Sequence, residues 1–218
     1  MQKIPHWLKG LLDEAGLRKI DAAVAQAEQQ TSGEIVPMVV RSSAVHSSAS
    51  MIGVLLALLL VLLVEYATLL IRGHEDLGWL WLAAYLVAGA LGYAFGQTRK
   101  GQLLTLAAWD RRRQVDERAL LEFYQEGLNN TQGKTGILLF LSLDEHGAVV
   151  LADAAISKHY PKDTFKEVVA ELVEGARNKD LATGFVKAID RSAALLSPYF
   201  PPEGANPNEL ADHIRIKE

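Results

Sequence analysis

The residues in this chain with the means for chemistry are carboxylates at the ends of short apolar runs. Glu34 opens the run EIVPMVV, Asp144 and Glu145 fall in the turn DEHG, and Asp153 closes the run AVVLAD. Oxygen donors of this kind suit hard cations such as Ca2+ or Mg2+. Strand ends can bring distant acids together, so Glu34 and Asp153 are the candidate metal ligands. The histidines, His6, His46, His74, His146, His159 and His213, share no i, i+4 spacing, which argues against a His-based metal site. The chain has no cysteine, which excludes disulfides, thiolate nucleophiles, Cys-ligated zinc and iron–sulfur clusters. No Gly-x-Ser-x-Gly elbow supports a hydrolase triad. The segment GLNNTQGKT (127–135) comes close to a phosphate-binding loop, but five residues stand where the motif needs four. A strand rather than a helix is expected after it, so an amide cradle there would lack its helix N-terminus. No catalytic set emerges from the residues themselves.

The elements that position these acids are set by an uneven composition. The chain has 218 residues, 50% of them hydrophobic, and a formal net charge of −4. This mild acidity gives no reason to expect nucleic acid as a partner. Almost all the charge lies outside residues 51–96. Met51–Ile71 (MIGVLLALLLVLLVEYATLLI) carries one charge, Glu65, and Leu77–Gly96 (LGWLWLAAYLVAGALGYAFG) carries none. A helix of about 20 apolar residues spans the hydrocarbon core of a bilayer, so the two runs predict a transmembrane hairpin joined by Arg72–Asp76 (RGHED). The lipid bilayer is thus the first predicted partner. The first run starts some fifty residues into the sequence, behind a helix and a strand, unlike a cleavable signal peptide. Arg41, Arg99, Lys100, Arg111, Arg112 and Arg113 flank one side of the hairpin and only Arg72 the other. By the positive-inside rule the protein is expected in the inner (plasma) membrane, multi-pass, with its soluble domain cytoplasmic. Trp79 and Trp81 suit the outer aromatic belt. Ala84, Ala88, Gly92 and Gly96 recur along one face of the second helix, where small residues permit close packing. Gly53 and Ala57 of the first helix are candidate contacts, and a homo-oligomer through the same face is a further expectation. Glu65 reads either as a snorkelling side chain near the outer end of the membrane or as a proton site.

The remaining residues are enough for one soluble domain with its own core. Residues 1–50 supply its first part: a helix capped by Asp13, with Leu17, Ile20, Val24 and Ala27 inward and Gly33 at its end, then the strand Glu34–Arg41. Pro37 argues for an edge position or a bulge in that strand. Ser42–Ser50 reads as a polar linker. Residues 97–202 supply the rest. Thr98–Arg113 is expected to lie on the membrane surface. A helix over Val115–Leu128 follows, then strands Thr135–Leu143 and Ala148–Asp153, a helix capped by Asp163, and a helix over Leu181–Ser197 capped by Asp180. Residues 203–218 read as an irregular tail. The first two strands, joined through a helix, are expected to be parallel, and the last two to form an antiparallel hairpin. The predicted fold is α/β, a small mixed sheet with helices on both faces plus an inserted two-helix transmembrane hairpin.

Several stretches resemble the TPM domain family. They are TSGEIVPMVV (31–40), GLNNTQGKTGILLFLSLDEHGAVVLADAAI (127–156), GFVKAIDRSAALLSPYFPP (184–202) and NELADHI (208–214). The resemblance implies an α/β/α sandwich, and similar bacterial proteins carry a transmembrane hairpin between the first strand and the next helix. It also brings a Ca2+-binding acid phosphatase activity, from the thylakoid-lumen member concerned with photosystem II repair. By position, Glu34 matches the family's strand-opening acid and Asp153 the acid after its last strand. Ala154-Ala155 stand where bacterial members usually have a loop glycine. Taken together, these features predict a membrane-anchored accessory module for assembly or repair of a membrane complex, with a membrane protein as partner. The alternative is a Ca2+-dependent, phosphatase-like hydrolase.

Overall fold

The computed structural model describes residues 4–43, 49–72, 78–98, 101, 108–202 and 209–218. Among them are seven α-helices and four strands. In chain order these are α1 (Glu14–Glu28), β1 (Glu34–Val40), α2 (Ala49–Arg72), α3 (Gly78–Gln97), α4 (Ala108–Gln125), β2 (Gly136–Ser142), β3 (Gly147–Ala152), α5 (Ala154–His159), α6 (Lys166–Arg177), α7 (Leu181–Leu196) and β4 (Arg215–Lys217). They divide into two compact units, residues 1–43 with 112–218, and residues 44–111.

The first unit is an α/β domain whose sheet has the order β3-β2-β1-β4. β1 runs parallel to β2 from Glu34↔Gly136 to Val40↔Ser142, and β2 pairs antiparallel with β3, as the sequence predicts. Every residue of β1 and β2 is buried. Both sheet faces are therefore covered, which is why these strands read as continuous apolar runs without alternation. Ile35, Val39, Ile137, Leu139 and Leu141 face one core with Ile20 and Val24 of α1, Leu172 of α6 and Phe185 and Ile189 of α7. Val36, Met38, Val40, Leu138 and Phe140 face a second core with Val115, Ala119 and Phe123 of α4. The mixed sheet with helices on both faces is thus observed.

Several expectations need correction. β1 is an interior strand, not an edge, because β4 pairs parallel with its second half. Pro37 is tolerated there because the β1–β4 ladder begins only at Met38, so no hydrogen bond to β4 is lost at the residue without an N–H. The tail is not irregular throughout: the alternation Ile214-Arg215-Ile216-Lys217 ends as β4, with Ile214 buried. α1 stops at Glu28, well before Gly33. Asp163 does not cap a helix; it sits in a 3-10 turn, Lys162–Phe165, and pairs with Lys166 Nζ at 2.9 Å in the open. By contrast Asp13 and Asp180 cap α1 and α7, accepting from the Gly16 and Thr183 backbone N–H groups at 2.6 and 3.1 Å. Half of the expected membrane-surface helix Thr98–Arg113, residues 99–100 and 102–107, lies outside the described residues; its end, from Ala108 to Arg113, belongs to α4. The same holds for 44–48 of the linker and 73–77, which cover most of the RGHED turn.

The second unit is an antiparallel pair, α2 against α3. Its two apolar stretches, Ala49–Ile71 and Gly78–Gln97, have mean hydropathy 2.7 and 1.4 and are long and apolar enough to cross a membrane. The small-residue face packs inward. A Cβ on Gly53 or Gly92 would overlap the other's backbone carbonyl, and one on Gly96 would meet Ser50 backbone. Ala57 touches the same place, so the expected Gly53 and Ala57 contacts are present. Ala84 and Ala88 are half-buried, Gly92 and Gly96 buried. This face already has α2 of its own chain as partner, and a second copy would have to displace it. Gly92→Leu is expected to force the helices apart and weaken the hairpin by about 1–3 kcal/mol. Steric-trap unfolding in bicelles would read the change, with Gly78→Leu, at a position meeting no neighbour, expected to leave the hairpin unaffected.

Candidate functional site

The acids singled out from sequence lie at opposite ends of the sheet. Glu34 starts β1 and Asp153 follows β3, and both occupy the end where β2 begins. β2 stands between them, so they are about two strand spacings, roughly 10 Å, apart along the sheet. Asp144 and Glu145 lie at the other end, in the β2–β3 turn.

Glu34 is 2% exposed. Its two carboxylate oxygens accept hydrogen bonds from the backbone N–H groups of Glu209 and Leu210, at 3.3 and 3.2 Å. Burial pushes its pKa up and outweighs these donors, with nearby Glu209 and Asp212 adding repulsion. Glu28, the last residue of α1, is pushed further, to about 8, by burial first, then by Glu34 and Asp212, with which it also shares a hydrogen bond. The Ile35 N–H, donating to Glu28 Oε1 at 3.4 Å, only partly offsets this. Glu209 in turn accepts from the Gln132 N–H, and Asp21 from the Ile214 N–H at 3.3 Å. The role of this acidic patch is therefore concrete: carboxylates on β1 and α1 grip the segment that delivers β4 to the sheet edge. Residues 209–212, far away in the chain, supply the neighbours of Glu34.

Asp153 is the N-cap of α5, a helix absent from the sequence expectation, with Oδ1 accepting from the Ala154 N–H at 2.7 Å. Its Oδ2 is buried without a hydrogen-bond partner, as is Asn129 Oδ1 in the neighbouring loop. Both loops border Gly136 of β2. The Asp153 N–H donates to Gly136 O at 2.9 Å, and a side chain on Gly136 would collide with Leu128 O. Two buried oxygens lacking donors are the chemistry a hard cation could use. Against this, Lys134 Nζ bonds Asn129 O, placing positive charge beside Asn129. Glu34 does not join this pair, and among the described residues no three His, Asp or Glu side chains are gathered so as to hold a metal ion.

At the opposite end Glu145, 8% exposed, is held by serines. It accepts from Ser42 Oγ at 2.7 Å, from the Ser43 N–H at 3.0 Å and from Ser142 Oγ, which itself accepts from Ser43 Oγ. Burial opposes its ionisation, but these donors prevail and hold its pKa below the usual carboxylate value. Ser142 and Ser43 are buried, so this is a clamp fixing the chain where β1 ends and not an accessible nucleophile. The sequence places Glu145 in the turn but carries no local signal for the clamp, because Ser42 and Ser43 lie about a hundred residues away in a stretch with the composition of a linker. In the helical unit Glu65 also has a partner the sequence did not supply, Tyr85 of α3, whose Oη donates to Oε2 at 2.6 Å.

No protein-family model matches the chain, and no curated protein matches it. Among solved structures it is similar to the NMR structure of BA42 protein from the psychrophilic bacteria Bizionia argentinensis sp. nov.. The TM-score is 0.59 at 17% identity, with 99% of each chain covered. A likeness at that identity speaks for the fold alone.

Proposed function

We propose that this chain is a membrane-anchored accessory protein. The α2–α3 hairpin holds the α/β unit at a bilayer, where the unit binds a membrane-protein partner in assembly or repair of a membrane complex and carries out no catalysis. The observation that carries this reading is the outer surface of the hairpin. Leu55, Leu60, Leu63, Leu70, Leu82, Leu86 and Leu91 are each more than half exposed there, a surface that lipid solvates and water does not. The non-catalytic part is supported by how the buried carboxylates are used, since Glu34 and Glu145 are engaged by donors of their own fold. The resemblance of the soluble stretches to TPM domains supports the same reading. The concentration of Lys and Arg on one side of the hairpin supports an inner-membrane location with the α/β unit cytoplasmic. A photo-crosslinker on an exposed residue of the α/β unit, in native membranes, is expected to capture one dominant membrane protein. Release of the chain by alkaline carbonate would sink the anchoring, and absence of any crosslinked partner would sink the accessory role.

A second reading, a Ca2+-dependent phosphatase-like hydrolase, is favoured by one observation, the unpartnered buried oxygens of Asp153 and Asn129. Glu34 plays no part in it. The expected result under this reading is a Ca2+-dependent rise in melting temperature that Asp153→Asn abolishes. An unchanged melting curve on adding Ca2+ removes it.

A further inference from the structure

We propose that the free edge of β3 is a strand-addition site, where an extended apolar segment of a partner protein pairs with Ala148 and Val150 and packs beside the flank of α6. This deepens the accessory reading above, on which the existence of the partner rests. β3 ends the sheet on one side. The phase of its hydrogen bonds is fixed at two points. The Asp153 N–H donates inward to Gly136 O at 2.9 Å, and Ala152 O is turned outward, where it accepts from Ser157 Oγ at 2.9 Å. Inward and outward residues alternate along an antiparallel strand. Val149 and Leu151 therefore bond β2, while Ala148 and Val150 point their N–H and C=O groups away from it. Among the described residues nothing pairs with those outward groups. The strand GAVVLA is half-buried along its whole length and has no charge and no proline. The opposite edge is different: β4 is three residues long and carries Arg215 and Lys217, the kind of charge with which natural sheets discourage pairing at an edge.

The wall beside this edge belongs to α6. That helix packs on β3, and α7 next to it packs on β1. Gly175 of α6 lies against Gly184 of α7, and Arg191 of α7 pairs with Glu167 and Glu171 of α6, which fixes the side of α6 that faces α7. Val168 and Leu172 face the first core. By helical spacing Val169, Val173 and Ala176 then fall on the flank away from α7, half-buried and on the side of the β3 edge. On the other face of β3, Val149 and Leu151 pack only partly against the second core. An added strand thus meets hydrogen-bonding groups along its edge and apolar side chains on both faces, which calls for an extended segment with small or apolar residues. The same features exclude other occupants. Hydrocarbon offers no partner to backbone N–H and C=O groups. A second copy pairing through its own β3 would set two α6 helices over strands only ~4.8 Å apart, whereas packed helices need ~8–10 Å. A bare strand from another protein brings no such helix.

The probe is a blocked peptide of alternating valine and threonine, added to the full-length protein in detergent micelles, with hydrogen exchange read at single amides by NMR. Without peptide, the Val149 and Leu151 amides, which face β2, are expected to exchange slowly and those of Ala148 and Val150 fast. The peptide is expected to slow Ala148 and Val150 severalfold and to leave Val149 and Leu151 unchanged. The same peptide N-methylated at every residue keeps its side chains but donates no hydrogen bond, and is expected to protect neither. Ala148→Pro removes an outward donor and no bond to β2, and Val173→Lys puts a charge on the α6 flank; each is expected to abolish the protection at Val150. Protection of Ala148 and Val150 before peptide is added would show that the chain itself covers the edge. An equal effect of the methylated peptide would show contact by side chains alone. Either result overturns the proposal, as does the absence of any slowing at millimolar peptide. A partner crosslinked in native membranes as strongly in Ala148→Pro as in the wild type leaves the accessory reading standing and overturns this site. No partner in the wild type overturns the accessory reading, and with it the partner claimed here.

Discussion

Between pH 5 and pH 8 the α/β unit is expected to lose stability as the pH rises, by at most about 1.4 kcal/mol per pH unit for each extra proton held. Glu28 has its pKa raised from 4.5 to about 8, and burial raises Glu34 as well. The folded protein then keeps protons that the unfolded chain gives up above pH 4.5. That advantage is complete below 4.5 and shrinks until the folded Glu28 ionises near 8. Glu126 and Glu145 work in the opposite sense: their folded values lie below 4.5, so their contributions vanish only as the pH falls through those values. The two trends place maximal stability on the acid side of neutrality. Native-state hydrogen exchange at β1 and β2 amides, corrected for the intrinsic rate, measures this directly. Glu28→Gln is expected to flatten the slope between 5 and 8. A variant that tracks the wild type across that range would refute the assignment to Glu28.

Replacing both Arg118 and Lys217 with methionine is expected to cost about 3 kcal/mol, by leaving the buried Glu122 without a cation. Glu122, 1% exposed, takes Arg118 Nε at 2.8 Å and Lys217 Nζ at 2.6 Å. Glu126 is held by Lys217 at 2.7 Å and by Arg215 Nε at 2.8 Å. Both cations of Glu122 are about a third exposed (29% and 32%), which puts the cost at the low end of the usual range for a broken buried pair. Adding Glu122→Leu to the double variant is expected to restore most of the loss, because an apolar side chain needs no partner in that position. The same exchange measurement reads both variants. Failure of the leucine to rescue would show that Arg118 and Lys217 stabilise through contacts other than Glu122, the Lys217–Glu126 pair or the packing of their stems.

The parts of this fold that could be read from sequence are those decided by neighbours. The apolar runs of α2 and α3, the caps Asp13 and Asp180, and the β2–β3 hairpin with its DEHG turn depend on residues a few places apart. The sheet order around β1 does not. β4 is three residues long, below the length at which alternation is a signal, and its pairing to β1 spans almost the whole chain. Pro37 pointed to an edge because a proline in a ladder costs a hydrogen bond; only the three-dimensional register shows that it falls just short of one. The candidate acids were legible as acids and as strand ends, but not in their roles. Glu34 grips Glu209 and Leu210, Glu145 gathers Ser42, Ser43 and Ser142, and Asp153 caps a helix six residues long. Each of these roles is set by a partner whose position no local pattern encodes.

The interior place of β1 has a consequence for how the protein is made. This strand leaves the ribosome before both of the strands that flank it. Roughly a hundred residues, hairpin included, must follow before β2 emerges, about 5–20 s at ordinary translation rates, and β4 comes later still. Throughout that interval a strand that is apolar beyond its opening Glu34 waits without the two strands that flank it. Nascent chains of this kind should therefore lean on a holding chaperone until the closing strand arrives.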